Sequence, residues 1–457
     1  MSLTPQELLG AQQWNSIIKT EIENALGSKL DGAFTAANYQ PGFNYAVKQQ
    51  YYNPDSLSAL NSLVTETDGI PAVGGVCSTL YNQVIGSLEY GISSADQATI
   101  NQEETAQAAL TGTIIDLYQN SGLDDPPKAY PSLLYIMNQI KTVTGTDYLH
   151  VDFRVYSNLS QLCNKLSEYA RNAVFTSKFQ NAWSSAYDRM EAIKNNITSP
   201  SADNGGLATA AGTFSIGWDK LPETAQLLAS LKQGNTVSFS LTTDSFTESE
   251  SELHFESHVT VKVPFNWFFN IKVRHEHSYD LSQYAQSESK LSVSVTFNGI
   301  TTLAAVPSPL SDDNTKGWFA PDILAEAAAK SGKDATGYQL HGSEFDPAVL
   351  FGKNGELKRL KTFVISQQPV ISLHFSKFDC TEMQKLFTQQ TDIDFSLFGG
   401  IISGDHHNDY SFSDYAYNSD EQTLDVTISP APIGDSGSTA KQTAFVLGGV
   451  AEYYGQQ

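Results

Sequence analysis

The stretch Thr198-Ser-Pro-Ser-Ala-Asp-Asn-Gly-Gly206 separates two kinds of sequence. Before it, apolar residues recur at spacings of three and four; after it they alternate with Ser and Thr at a period of two. Those are the signatures of amphipathic helices and half-buried strands, and the turn formers between them mark a boundary. The expected fold class is therefore α+β: a helical domain over residues 1–200, then a mainly antiparallel β domain over 205–457.

On the helical side, Thr4-Pro5-Gln6-Glu7 is a capping box with Pro at the first helical position. Ala11, Trp14, Ile18, Ile22 and Ala25 then form one face, and Gly27 stands where a helix ends. Residues 28–92 are broken by YYNPDS, TDGIP and Gly74-Gly75, and give no clear period. Further helices are expected over 95–118 and 132–141. A long one runs from Ser157 to Ile197 on Leu159, Leu162, Leu166, Tyr169, Ala173, Phe179, Trp183, Ala186, Met190, Ile193 and Ile197. Unbroken, it spans roughly 60 Å at 1.5 Å per residue.

On the β side, Val237, Phe239 and Leu241 alternate with polar residues, as do Leu253 and Phe255, Val259 to Val263, and Leu291 to Phe297. Short helices are expected at 222–231, 321–330 and 381–387. An internal repeat is visible: His275-Glu-His-Ser-Tyr-Asp-Leu-Ser-Gln-Tyr-Ala285 aligns with His406-His-Asn-Asp-Tyr-Ser-Phe-Ser-Asp-Tyr-Ala416, 131 residues later, with identity at five of eleven positions. Thr236–Leu241 matches Val370–Phe375, and Lys290–Val295 matches Thr423–Ile428; the first and last strands begin 54 and 53 residues apart. Two copies of one β unit, about 236–300 and 370–430, are expected to pack in a sandwich-like arrangement.

Composition narrows the function classes. The 457 residues carry 27 Lys+Arg against 50 Asp+Glu, a net charge of −23, yet only 17% are charged, below the ~25% of an average globular domain. That charge repels phosphate backbones and anionic lipid, so nucleic acid is excluded as a partner and membrane contact is disfavoured. No run of about 18 apolar residues predicts a membrane-spanning helix. The opening MSLTPQELLGAQQWNS has no basic leader or apolar core, so the expected location is the cytoplasm, or outside by a leaderless route. Cys77, Cys163 and Cys380 are too few and too scattered for a disulfide framework or a CxxC zinc site, and are read as buried thiols. The sequons at Asn158 and Asn196 are read as chance matches.

Candidate sites are sparse. His275 and His277 share one face of a strand, and His406 and His407 lie beside Asp405 and Asp409; these are weak metal candidates, against the plainer reading of histidines hydrogen-bonded across an exposed sheet. Gly434-Asp-Ser-Gly437 resembles the letters around a serine nucleophile but lies in a Pro/Gly/Ser loop, and reads as a turn. In Val263-Pro-Phe-Asn-Trp-Phe-Phe-Asn-Ile271, the residues Phe265, Trp267, Phe268 and Phe269 stand at a strand-to-strand turn. They either fill the core or anchor a membrane or partner. Tyr51-Tyr52, Tyr410, Tyr415, Tyr417 and Tyr453-Tyr454 suggest a hydrogen-bonding aromatic surface suited to sugars or proteins.

The expected function is a binding or assembly role without catalysis or cofactor: a toxin-like protein that binds a protein or cell surface and self-associates or acts on membranes. The alternatives are a metal-dependent hydrolase built on the His/Asp clusters, a self-associating structural protein and a carbohydrate-binding protein.

Overall fold

A computed structural model describes residues 3–37, 43–44, 54–67, 70–209, 211–244, 246, 251–255, 259–273, 278–279, 281–342, 344–352, 355–389, 393–405, 410–430 and 443–454. The fold is α+β, with a large curled antiparallel sheet. The chain divides into two compact units that interleave in sequence. The first takes residues 1–83, 193–320 and 348–456; the second takes 84–192 and 321–347. This differs from a single cut near residue 200.

The first unit begins with helix α1 (Pro5–Leu26), which starts and stops where its caps dictate. Thr4 and Glu7 form the reciprocal capping box, and Gly27 closes the C-terminus. Of the face expected from periodicity, Ala11, Trp14, Ile18 and Ile22 are at 3% exposure or less and Ala25 is half-buried, with Leu26 buried beside it at 4%. Its partner is the sheet: Trp14 meets Phe239 with ring centroids 5.4 Å apart and stacks on Phe398 at 4.1 Å. An apolar stripe specifies that a helix face is buried but leaves open what covers it, which is why α1 belongs with the β-strands.

The strands that carry the repeat are β1 (Asn235–Asp244), β2 (Ser251–Phe255), β3 (Thr260–Val263), β4 (Phe269–Val273) and β5 (Ala285–Ala304). After β6 (Lys358–Ser366) come β7 (Val370–Phe378), β8 (Ile393–Leu397), β9 (Ile402–Asp405), β10 (Tyr410–Asn418), β11 (Thr423–Pro430) and β12 (Thr443–Tyr453). All pairings among them are antiparallel. Strand β1 pairs with β5, β5 with β7, β7 with β11, and β11 with β10. The repeat therefore lies edge to edge in one sheet, with β5 and β7 as the seam. Its inward residues correspond one for one: Val237, Phe239 and Leu241 with Ile371, Leu373 and Phe375, and Leu291, Val293 and Val295 with Leu424, Val426 and Ile428, all buried.

A second layer covers the apolar face. Strands β4, β8 and β9, with the short strand Ser278–Tyr279, form a four-stranded sheet, and its Phe269, Ile271, Phe395, Leu397 and Ile402 join the same core as the main-sheet residues. The expected layering is present but built differently, because each copy contributes strands to both layers. Strand β5 turns a corner at Gly299. Its first part pairs with β1 and β7, its last four residues pair with β6, and the register with β1 breaks between Phe297 and Ile300. Gly299 has φ +68°, and a Cβ there would lie 1.8 Å from the Leu231 carbonyl oxygen, so only glycine fits the bend.

The second unit holds α2 (Ser94–Gln119), α3 (Leu133–Thr144), α4 (Ser160–Thr198, whose last turn counts with the first unit) and α5 (Pro321–Lys330). Its core gathers Ile114, Tyr118, Ile136, Ile140, Leu159, Leu162 and Leu166. Helix α4 has 39 residues, about 58 Å at 1.5 Å per residue. The unreadable segment 28–92 holds two short helices, a hairpin of Leu63–Thr67 with Ile70–Gly74, and a strand Leu88–Gly91 that pairs with Gly337–Leu340.

Candidate functional site

The aromatic run is not a contact surface in this conformation. Pro264 starts a single helical turn, Phe265–Phe268, that folds inward. Phe265 and Phe268 are fully buried, Phe269 is 1% exposed and Trp267 8%. The corresponding turn of the second copy, Phe398–Gly400, meets it: Phe398 lies 5.5 Å from Phe268 and 6.4 Å from Trp267 between ring centroids. Of the two readings of Phe265, Trp267, Phe268 and Phe269, their burial fits core packing. With apolar layers on both sides, each ring gains more by burial than by facing water.

Several other expectations resolve into internal contacts. Tyr410 is buried, Tyr415 donates to the Phe387 carbonyl at 2.8 Å, and Tyr454 is buried. Tyr417 remains exposed. All three cysteines are buried and free, and burial pushes the Cys77 and Cys163 thiols up to about 11. The side-chain nitrogen of Asn158 donates to the Ser121 carbonyl at 2.7 Å and that of Asn196 to Gly317 at 2.6 Å. His275, His277, His406 and His407 fall outside the described residues, as do Tyr51-Tyr52 and Gly434–Gly437.

The first unit holds a buried ionic network. Arg359, 2% exposed, donates to the Tyr454 hydroxyl at 2.6 Å, to the Ala305 carbonyl at 2.5 Å and to Glu452 at 2.8 Å. Tyr454 in turn donates to Glu452 at 2.9 Å. Burial raises the Tyr454 phenol well above its ordinary range, partly offset by the guanidinium. The network fastens β6 to the end of the chain's last strand, a structural lock in which every charge is paired.

The outward face of the main sheet carries short polar side chains in register. One row runs His254, Thr242, Ser292, His374, Asp425 across β2, β1, β5, β7 and β11. His374 Nδ1 meets Asp425 Oδ1 at 2.5 Å. His254 Nε2 meets Asp244 Oδ1 at 2.9 Å, and its Nδ1 lies 3.0 Å from Thr260 Oγ1. Glu252 stands opposite Asp244 and pairs with Lys262 at 3.0 Å. Asp244, Glu252 and His254 place three ligand atoms within 4.8 Å of one another.

Apolar exposure is concentrated elsewhere, in the second unit. Between Gly145 and Ser157 the chain makes two turns. Asp147 accepts from the Leu149 amide at 2.9 Å and pairs with the His150 ring at 2.8 Å. Asp152 accepts from the Arg154 amide at 3.0 Å and holds its guanidinium through two bonds at 3.0 and 2.8 Å. The His150 and Arg154 contacts hold both carboxyls below their ordinary values. Val151 plugs into the unit's core, while Leu149 (62%), Phe153 (38%) and Val155 (68%) point out. The Tyr156 hydroxyl donates to the Val143 carbonyl at 3.3 Å, tying the loop to the end of α3, where Val143 is also exposed. The sequence did contain a signal, since Leu149, Val151, Phe153 and Val155 alternate outside any helical period.

No protein-family model, curated protein or solved structure matches this chain. No described helix is long and apolar enough to cross a membrane.

Proposed function

We propose that this is a non-catalytic, toxin-like binding protein that docks on a lipid surface through the apolar loop 147–156 of its second unit. The observation that carries the reading is the outward display of Leu149, Phe153 and Val155 on a loop held by its own Asp147 and Asp152 turns. Large side chains exposed together mark contact sites, and a preorganised loop loses little entropy on docking.

Size and charge support a lipid surface over a protein. A stable protein interface takes about 20–30 residues a side, whereas this patch offers four apolar tips with Val143. That area suits shallow insertion at the level of the headgroups. From Lys141 to Tyr156 the charges are Lys141, Arg154, Asp147 and Asp152, a neutral island in a chain of −23. It meets zwitterionic lipid without the repulsion that the rest of the surface feels from anionic lipid.

Sedimentation with phosphatidylcholine vesicles tests the proposal. The intact protein is expected to co-sediment, and the double variant Phe153→Ser, Val155→Ser to lose at least about tenfold in partitioning. An intact protein that stays in the supernatant, or a variant that binds as well, overturns it. Leakage of an entrapped dye and electron micrographs of vesicle-bound protein then separate simple docking from assembly into a lesion.

A further inference from the structure

We infer that Asp244, Glu252 and His254 form a divalent-cation site on the outward face of the main sheet, with zinc the ion best suited to its donors. The ladder geometry places them together. Glu252 is the direct antiparallel partner of Asp244, and His254 follows two residues later on the same face. Carboxylates directly opposite each other repel; Lys262 at Glu252 relieves part of this, and a cation between the pair would relieve the rest.

The imidazole geometry specifies where that charge sits. In the tautomer that donates Nδ1–H to Thr260 Oγ1, 3.0 Å away, Nε2 turns its lone pair toward Asp244 Oδ1, 2.9 Å away. In that tautomer a positive centre, a proton or a metal ion, fits between the two lone pairs; in the other, Nε2–H donates to Asp244 and Nδ1 accepts from Thr260. A partner on the far nitrogen is the usual device for orienting a histidine ligand. Ligand nitrogen and oxygen atoms at about 2.0–2.1 Å from a tetrahedral zinc lie roughly 3.3 Å apart, so the site needs only a small opening. The Glu252 oxygen completes a set whose ligand atoms all lie within 4.8 Å, and one imidazole with two carboxylates neutralises a divalent ion. Lys262 holds Glu252 from β3, and Lys290 of β5 stands across from Asp244 as the competing cation. Zinc competes with protons for these ligands, so its binding is pH-dependent.

The site lies in the first unit, on residues separate from the lipid-docking loop, so the two proposals stand or fall independently. Calorimetric titration of the chelator-treated full chain with zinc chloride is the test. The expectation is saturable uptake with proton release, read as an enthalpy that changes with buffer ionisation, together with a raised melting temperature. His254→Gln and Asp244→Asn should each lose one equivalent, or at least about tenfold in affinity, and the zinc-induced rise in melting temperature. His374→Gln, in the other His–Asp pair of the sheet, should leave both unchanged. No uptake by the intact protein, or unchanged stoichiometry and affinity in folded His254→Gln, overturns the site.

Discussion

The aromatic run Phe265–Phe269 and the loop Asp147–Tyr156 invert what residue type alone suggests. The first is a strongly aromatic turn and lies inside; the second is broken up by His, Asp and Arg and displays its apolar tips. The difference is in what surrounds them. A turn between strands of a two-layered β structure has an apolar sheet on either side, and the second copy supplies Phe398 as a ready partner. A connection between two helices has one core beneath it, and Val151 fills the available place. Hydrophobic side chains are buried when there is a surface to meet them, so neighbours decide exposure as much as composition does.

The sharpest way to break this contrast is truncation at both places. Phe268→Ala removes a fully buried ring that touches Phe265 and Phe398, and is expected to cost about 3–5 kcal/mol. Phe153→Ala, on the displayed loop, should change stability by less than about 0.5 kcal/mol. Chemical denaturation followed by circular dichroism gives both values. Equal losses would mean that the loop is packed as tightly as the turn.

A smaller effect is expected where α1 crosses the aromatic turn. At Gly10 a Cβ would lie 2.8 Å from both Val263 Cγ1 and the Trp267 ring, closer than real contacts permit. Gly10→Val should therefore destabilise the first unit by about 1–3 kcal/mol through overpacking, and its melting temperature should fall. An unchanged melting temperature would place α1 farther from Trp267 than described.

The smallest effect concerns acid. Asp147 and Asp152 titrate below their unfolded values, held there by His150 and Arg154. Groups of this kind contribute stability that is complete above the unfolded carboxylate range, near pH 4, and lost as pH falls through the folded values. Amide exchange at Leu149 and Arg154 should thus be slow and constant from pH 7 to about 5 after correction for intrinsic rates, then accelerate below about 4. Exchange that stays unchanged on acidification through that range would show that the two carboxylates do not hold the loop.

Much of the fold was legible because it is locally encoded. The capping box at Thr4, the long periodic segment ending at Ile197, the α5 boundaries and the inward faces of the repeated strands all follow from periodicity and caps. What sequence could not supply is long-range choice. Nothing local tells α1 to pack on a sheet formed more than two hundred residues later, or tells the two copies to share one sheet through β5 and β7. The site residues illustrate the same limit. Nothing local marks His254, because its union with Asp244 and Glu252 depends on the β1–β2 register. The loop at Leu149 alternates as a strand would but belongs to none, so its pattern alone does not say which tips are displayed.

The short strand Phe34–Ala36 pairs with β12, Phe34 standing opposite Val450, and the Arg359 lock joins β12 to β6 beside it. During synthesis, therefore, the first unit lacks a closing strand until nearly all of these residues have left the ribosome, whereas most of the second unit's helices emerge far earlier. A chain shortened by about fifteen residues at its C-terminus would leave edges open at both β6 and Phe34–Ala36, a template for clumping with other chains. The same seam makes a strand peptide covering Thr443–Tyr453 a natural candidate for restoring such a shortened chain when added in trans.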